Sequence, residues 1–365
     1  MKGKAAVFTQ IEKPLEIREF PLPDVEPDAI LVKIGLANIC GSDIHFWRGR
    51  GPGLKGGMPI ILGHEMLGRI EKLGKNVKTD YMGHPLREGD RIIYSYFRPC
   101  GQCWSCLSGE AACPYRIKHW IGIPCDESPY FNGAFADYYY VRPGQWVFKV
   151  PDELPDEVVS PVNCATAQVV YGLHKVGITL GDTVVIQGAG GLGLYAVAVA
   201  REMGAAQIIA VDTIKERLEL AKEFGADVIL DASTTEGQDR TKRVQDLTGG
   251  TGADVVAEFA GSPQVIDEGT QMLRFGGRYL WIGNINIGLK GEIDPAQYVR
   301  GTRTIYGVVA YQAWVLPRTL DFLRRTLKKY PYAKLISHKF PLAEVNKAME
   351  VAMERKAYRV ALLPG

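Results

Sequence analysis

The stretch TVVIQGAGGLGLYAVAVAREMG (Thr183–Gly204) joins an apolar run, a glycine-rich turn and a long apolar helical pattern. Gly188, Gly190 and Gly193 fit the spacing G-x-G-x-x-G, directly after the predicted strand and at the start of the predicted helix. Such glycines permit a tight turn, and phosphate groups can then approach the backbone amides at the helix N-terminus. The residues predicted to contact a nucleotide in this turn are Gly188, Gly190, Gly191, Leu192 and Gly193.

The pattern around this stretch repeats from about residue 165 onwards. Apolar runs bounded by Gly or Asp alternate with helical stretches, as in QIIAVD, IKERLELAKEFG, DVILD, ADVVAEFAG and GRYLWIG. Continuous apolar strands between helices are typical of an α/β Rossmann fold, a doubly wound parallel sheet. Residues 1–160 instead carry short extended runs with many Gly and Pro residues, which predicts a mostly β region.

Asp212 supports a nucleotide at the glycine turn. It ends the next predicted strand, where a carboxylate can accept both ribose hydroxyls of NAD and repel the 2′-phosphate of NADP. Lys215 and Arg217 follow closely and leave NADP open, and Arg217 is included among the predicted cofactor-binding residues. Glycines used only for packing, and a helix cap at Asp212, are the structural alternatives.

The loop RPCGQCWSCLSGEAACP (residues 98–114) contains Cys100, Cys103, Cys106 and Cys113. Four thiolates can surround one zinc ion tetrahedrally and leave no open position, which is the condition for a structural site. No βαβ pattern surrounds the loop, so a redox role is not favoured. We therefore predict that this loop holds a structural zinc and carries no chemistry.

A second set of potential metal ligands is dispersed along the chain. ANICGSDIHFW supplies Cys40, ILGHEMLG supplies His64, and SPVNCATAQ supplies Cys164. Each alone is more typical of a buried core residue. Together, two thiolates and one imidazole suit a catalytic zinc whose fourth position is open to substrate.

Composition narrows the class of protein. The 43 basic and 41 acidic residues leave a net charge of +2, which does not favour a nucleic-acid partner. The longest apolar helical pattern, around residues 189–200, is too short to span a membrane, and the N-terminal residues lack the apolar core of a signal peptide. We expect a cytoplasmic protein with reduced thiols, acting on a small molecule.

GHEMLGRIEKLGKNV (Gly63–Val77) matches the signature G-H-E-x-x-G-x5-G-x2-V, and the chain resembles the zinc-containing alcohol dehydrogenases of the medium-chain dehydrogenase family. The resemblance covers essentially the whole chain, including CGSDIH, the cysteine loop and the terminal KAYRVAL. The gap between Cys106 and Cys113 is one residue shorter than is usual in the family.

The resemblance implies an NAD-binding Rossmann domain at 165–306 and a GroES-like catalytic domain formed by 1–164 and 307–365. It implies that Cys40, His64 and Cys164 hold the catalytic zinc. The roles it implies for further residues are proton transfer for Ser42 and His45, orientation of a ligand histidine for Asp43, a position behind the metal for Glu65, and contact with the cofactor pyrophosphate for Arg359. A helix cap at Ser42 and a surface position for His45 are the alternatives.

The expected activity is hydride transfer between an alcohol, either a secondary alcohol or a polyol, and NAD, which gives a ketone or an aldehyde. The expected cofactors are two zinc ions per chain and NAD, and the family suggests a homodimer or homotetramer. Two other functions stay open at this point: a zinc-independent quinone or enone reductase of the same superfamily, and a zinc-ribbon protein that senses NAD.

Overall fold

The computed structural model describes residues 1–50, 58–285, 287–354 and 357–365. Two compact units are present: the first comprises Met1–Ala167 and Gln312–Gly365, and the second comprises Gln168–Tyr311. Within these described ranges, no helix combines the length and the apolar character needed to cross a membrane.

The strands of the described residues are β1 (Lys2–Phe8), β2 (Glu16–Pro21), β3 (Ile30–Asn38), β4 (Ile60–Ile61), β5 (Glu65–Leu73), β6 (Arg91–Tyr94), β7 (Tyr138–Val141), β8 (Val147–Lys149), β9 (Thr183–Gln187), β10 (Gln207–Asp212), β11 (Val228–Asp231), β12 (Ala253–Glu258), β13 (Leu273–Trp281), β14 (Thr304–Gly307), β15 (Ile336–Pro341) and β16 (Arg359–Leu363). The helices are α1 (Gly41–Trp47), α2 (Trp104–Leu107), α3 (His119–Gly122), α4 (Asp156–Val159), α5 (Ala167–Val176), α6 (Gly191–Met203), α7 (Lys215–Glu223), α8 (Gly237–Leu247), α9 (Val265–Met272), α10 (Pro295–Gly301), α11 (Val315–Thr326) and α12 (Val345–Met353).

The second unit is built on a six-stranded sheet in the order β11-β10-β9-β12-β13-β14, and all its strand pairs are parallel. The chain reverses its direction of winding between β9 and β12, the point at which such sheets bind ligands. Val185, Ile209, Val256 and Tyr279 are buried in one cluster of its core. The predicted doubly wound parallel sheet is confirmed.

The first unit is mostly β, as predicted. Its larger sheet has the order β15-β16-β3-β5-β6-β8, and β7 also pairs with β3. Strands β3 and β5 run antiparallel, and Asn38 at the end of β3 faces Glu65 at the start of β5. This register brings the chain after β3 and the chain before β5 to the same edge of the sheet. Strand β16 adds to β3 through Ala361 opposite Asn38.

Candidate functional site

Three potential metal ligands meet at that edge of the first unit. Cys40 follows β3 as the N-cap residue of α1, His64 directly precedes β5, and Cys164 lies in a π-helical turn at Val162–Thr166. The two sulfur atoms and an imidazole nitrogen all lie within 4.8 Å of one another. The structure therefore brings together the three side chains that the sequence predicts as the catalytic metal set.

Asn163 fixes the turn that carries Cys164. Its amide nitrogen donates to the carbonyl of Tyr94 at 3.0 Å, and its amide oxygen accepts from the backbone N–H of Met66 at 3.3 Å. Both contacts are buried, so they replace the solvent bonds that this polar side chain lost on folding. Cys164 is thus held against β5 and β6, the strands next to His64.

The buried carboxylate of Asp43 organises the backbone and the imidazole around the cluster. Its Oδ1 atom lies 3.2 Å from His64 Nδ1 and accepts from the backbone N–H of Gly63 at 3.1 Å. Its Oδ2 atom accepts from the backbone N–H of Cys40 at 2.8 Å. When His64 donates from Nδ1 to this carboxylate, its Nε2 lone pair is free to bind a metal.

Ser42 lies at the cluster itself. Its hydroxyl oxygen is 3.3 Å from Cys40 Sγ and 3.3 Å from His64 Nε2. Cys40 is the N-cap of α1 and its backbone N–H is bonded by Asp43, so the alternative role of Ser42 as a helix cap does not hold. His45 is half-buried and lies three residues after Ser42, on the same face of this helix.

The ionisation of the two thiols, Cys40 and Cys164, favours a bound cation. The hydrogen bond from Cys164 and the nearby His64 lower the pKa of Cys40 well below its ordinary value, whereas Cys40 raises the pKa of Cys164 well above its own. Two adjacent buried thiolates repel each other, so only one sulfur ionises in the absence of a positive charge. A divalent cation would allow both thiolates to form, and the donor set of two sulfurs and one nitrogen is one that zinc binds.

Glu65 follows His64 in the chain as the first residue of β5, and its side chain is fully buried. Its Oε2 atom accepts from the guanidinium of Arg359, whereas its Oε1 atom has no hydrogen-bond partner among the described residues. Burial raises the pKa of Glu65 to about 8, although Arg359 opposes the shift. Arg359, predicted to contact the cofactor, is thus paired with a carboxylate at the metal cluster, and its role towards pyrophosphate stays a prediction.

Aromatic rings cover the imidazole of His64. The ring of Trp120 stacks on it with a centroid separation of 4.2 Å, and the ring of Tyr96 lies at 4.9 Å. Phe46 contacts Trp120 edge to face at 5.0 Å. The sequence did not single out Tyr96 or Trp120, since aromatic residues in a β-rich region are more often core.

The four-cysteine loop also forms a compact cluster. The sulfur–sulfur distances are 3.5 Å for Cys103–Cys106, 3.6 Å for Cys100–Cys113, 3.8 Å for Cys103–Cys113 and 3.9 Å for Cys100–Cys106. A tetrahedral zinc with Zn–S bonds of about 2.3 Å requires sulfur separations of about 3.8 Å. The observed separations match this requirement, and Cys113 reaches the cluster despite its shorter gap from Cys106.

The glycine turn of the second unit needs glycine on steric grounds. Gly188 has a φ of +93°, and a Cβ atom at Gly193 would lie 1.8 Å from the carbonyl oxygen of Gly188. The turn ends at Gly190, the N-cap of α6, whose first amides have no partner within the helix. This arrangement fits the binding of a pyrophosphate.

Asp212 at the end of β10 is bonded through both carboxylate oxygens. One accepts from the backbone N–H of Ala189 in the glycine turn at 2.7 Å, and the other accepts from Ile214 at 2.9 Å. The guanidinium of Arg217 lies 4.0 Å from the same carboxylate. Asp212 therefore fixes both the glycine turn and the chain before α7. It lies at the end of β10 as predicted, and part of its role is to hold this backbone in place.

Comparisons with known proteins agree with this geometry. Residues 26–152 match the alcohol dehydrogenase GroES-like domain family, and residues 191–325 match the zinc-binding dehydrogenase family. The chain is 33% identical to 5-exo-hydroxycamphor dehydrogenase from Pseudomonas putida, over 96% of this chain and 95% of that protein. It superposes on an alcohol dehydrogenase from Thermotoga maritima with a TM-score of 0.95 and 34% identity, over 100% of both chains. It also superposes on an NADP-bound zinc-binding dehydrogenase from Sinorhizobium meliloti 1021, with a TM-score of 0.87 and 26% identity over 100% of both chains.

The parallel sheet, the glycine turn and the two thiol clusters define a zinc-binding dehydrogenase. With these matches, the chain belongs to the zinc-containing alcohol dehydrogenases of the medium-chain dehydrogenase family. Its class of reaction is therefore oxidoreduction of an alcohol. The comparisons give no support to the two other functions, the zinc-independent reductase and the NAD-sensing zinc ribbon.

Proposed function

We propose that this chain oxidises a secondary alcohol or a polyol to the carbonyl compound, with NAD as the hydride acceptor and a zinc ion held by Cys40, His64 and Cys164. The convergence of these three donor atoms within 4.8 Å carries the proposal. Zinc bound there would act as a Lewis acid and favour proton loss from a hydroxyl group.

The residues around the cluster would prepare its ligands. Asp43 would keep His64 in the tautomer whose Nε2 atom faces the two sulfurs, because the carboxylate lies at Nδ1. Tyr96 and Trp120 would exclude water from the imidazole and restrict its rotation. Glu65 and Arg359 would form a buried hydrogen-bonded pair beside the cluster.

Ser42 would take the proton of the substrate hydroxyl. Its oxygen lies beside both Cys40 Sγ and His64 Nε2, so it sits where a hydroxyl bound at the cluster would be found. His45, on the same face of α1, would carry the proton onward. A histidine suits this step because its ordinary pKa lies near neutral pH.

The second unit would bind the dinucleotide. The glycine turn and the N-terminus of α6 would hold the pyrophosphate, and contact of Arg359 with it is what the family resemblance implies. Asp212 would accept the ribose hydroxyls and disfavour a 2′-phosphate, which makes NAD the expected cofactor. When bound, NAD supplies the hydride acceptor.

The proposal also covers the domain boundaries, the four-cysteine loop and the oligomeric state. Residues 1–164 and 307–365 would form the catalytic domain and 165–306 the NAD-binding domain. The four-cysteine loop would hold a zinc that stabilises its fold. A cytoplasmic homodimer or homotetramer is expected. None of the seven cysteines forms a disulfide, which agrees with a compartment that keeps thiols reduced.

Replacement of Cys40 by Ala tests the proposal directly. The variant should lose turnover because one ligand is missing, whereas NAD binding, measured by titration calorimetry, should be retained. Cys125 offers a matched control, because it is buried and belongs to neither thiol cluster of the described residues. Cys125→Ala should keep both turnover and NAD binding. Full activity of Cys40→Ala would end the proposal.

A further inference from the structure

The segment that covers His64 carries two cations that have no counter-charge among the described residues. Arg116 and Lys118 are both half-buried. Neither side chain makes an ion pair or a hydrogen bond with the described part of the chain. Half-buried cations without partners are uncommon, because desolvation costs free energy that an ion pair would offset.

Backbone contacts place this segment beside the metal cluster. Ile117 pairs with Arg98 in an antiparallel bridge, with both N–H to O distances at 2.9 Å. Two residues after Lys118, the ring of Trp120 stacks on His64. The backbone at Lys118 is therefore fixed between the bridge and a ring that touches a proposed zinc ligand.

The electrostatics agree with this placement. Burial and the neighbouring Arg116 lower the pKa of Lys118, whereas Cys164 acts in the opposite direction. Cys164 and Arg116 also act in opposite directions on the pKa of Tyr96, which burial raises well above its ordinary value. Lys118 therefore interacts electrostatically with Cys164 of the cluster, and Arg116 interacts with Tyr96, whose ring lies 4.9 Å from that of His64.

A third donor lies in the same segment. The indole N–H of Trp120 has no acceptor among the described residues, and this side chain is only 2% exposed. A buried donor without an acceptor costs free energy, which a ligand atom could recover. A guanidinium, an ammonium and an indole N–H all donate hydrogen bonds, and none of them accepts one.

We propose that Arg116 and Lys118 form a subsite for an anionic group of the substrate, so that the enzyme prefers alcohols that carry a carboxylate or a phosphate near the reacting hydroxyl. Lys118 would bind the anion as a point charge, and Arg116 would bind two of its oxygens. The inference rests on the proposed function, because it assumes that the alcohol is oxidised at the Cys40, His64 and Cys164 cluster.

Matched substrate pairs test the proposal by kinetics. We expect the wild type to have a higher kcat/KM for the charged member of one of two pairs: 3-hydroxybutyrate against 2-butanol, or glycerol 3-phosphate against glycerol. A preference within the first pair indicates a carboxylate subsite, and a preference within the second indicates a phosphate subsite. In Lys118→Met and Arg116→Met, kcat/KM for the charged member should fall about tenfold or more, the usual effect of losing a charge-assisted hydrogen bond. Values for the neutral member should not change. The exposed Lys72 gives a control variant, Lys72→Met, that should behave as the wild type.

A binding measurement separates this inference from the proposed function. Titration calorimetry with malonate and with inorganic phosphate needs no turnover. We expect one of the two anions to bind the wild type, and binding to weaken about tenfold in Lys118→Met at an unchanged zinc content. Absence of binding, or equal binding by both proteins, would overturn the subsite, as would a preference for neutral alcohols. Loss of turnover with every alcohol, while anion binding stays sensitive to Lys118, would overturn only the proposed function.

Discussion

The Nδ1 atom of His64 lies 3.2 Å from the Oδ1 atom of Asp43, and both side chains are almost completely buried. The carboxylate also bonds the backbone N–H groups of Cys40 and Gly63. One acidic side chain therefore positions two of the three proposed metal ligands. Asp43 could therefore affect the metal site through the position of its ligands alone.

Asp43→Asn should weaken zinc binding at the catalytic cluster. The amide is uncharged and cannot accept through both of its polar atoms, so His64 loses its partner at Nδ1 or a backbone N–H loses its acceptor. Losses of such supporting contacts usually lower metal affinity by about 10- to 100-fold. Competition with a chelator, followed by zinc analysis, measures the change. If the chelator removes zinc from Asp43→Asn no more readily than from the wild type, Asp43 does not support the metal ligands.

Cys103→Ser should remove one zinc ion and leave the other. The sulfur of Cys103 lies within 3.8 Å of two other sulfurs, so its loss breaks the four-thiolate set of the loop. The loop has little apolar content, and without its metal it should become sensitive to limited proteolysis within residues 98–114. Cys125→Ala, as the control, should retain both ions and the wild-type digestion pattern. A Cys103→Ser protein with a full zinc content would rule out a structural site in this loop.

Asp212 should determine the choice of dinucleotide. The wild type should have a higher kcat/KM with NAD than with NADP, because the carboxylate repels a 2′-phosphate of charge about −2. Asp212→Asn removes this repulsion, and the NAD preference should fall about tenfold or more. The exposed Asp246 provides a control in the same unit, and Asp246→Asn should leave the preference unchanged. A wild type that prefers NADP would mean that Arg217, and not Asp212, dominates the site.

His119 should make the stability of the first unit depend on pH. Burial, with Arg142 and Arg98 nearby, lowers its pKa to about 4 from 6.5. The folded chain thus keeps His119 neutral in a range where the unfolded chain binds a proton, so stability is complete above pH 6.5 and falls as the pH decreases towards 4. Between pH 8 and pH 5 this contribution amounts to about 2 kcal/mol.

The measurement for His119 is the free energy of unfolding in urea at pH 8 and at pH 5. His119→Gln should lose less stability on acidification than the wild type, by about the same amount, since glutamine does not titrate. Effects of acid on the zinc ligands are common to both proteins and cancel in the difference. Identical losses in both proteins would show that the pKa of His119 is the same in the folded and the unfolded chain.

The parallel sheet and the four-cysteine loop could be predicted from the sequence for physical reasons. Only glycine fits Gly188 and Gly193, so the turn leaves a fixed spacing in the chain. Only two residues separate Cys100 from Cys103, so the short connecting chain keeps their sulfur atoms near each other. The mostly β character of the first unit also follows from local patterns, because its strands are short runs between turn residues.

Other features of the site have no local pattern. Trp120 reaches His64 from the short helix α3, more than fifty residues further along the chain, and aromatic side chains fill the core elsewhere as well. Glu65 and Arg359 meet because β5 and β16 pair with opposite edges of β3, which is a property of the sheet order. In the sequence, Lys118 cannot be distinguished from an ordinary surface lysine. Its half-burial without an ion pair to any described residue is visible only in the structure.

Anomalous diffraction at the zinc absorption edge tests the central claim most directly. Crystals of the full chain grown with zinc should show a peak bounded by Cys40 Sγ, His64 Nε2 and Cys164 Sγ, with bonds of about 2.0–2.3 Å. A second peak should lie among the four cysteines of the loop. A structure with the loop peak alone, and with no density among Cys40, His64 and Cys164, would contradict the account.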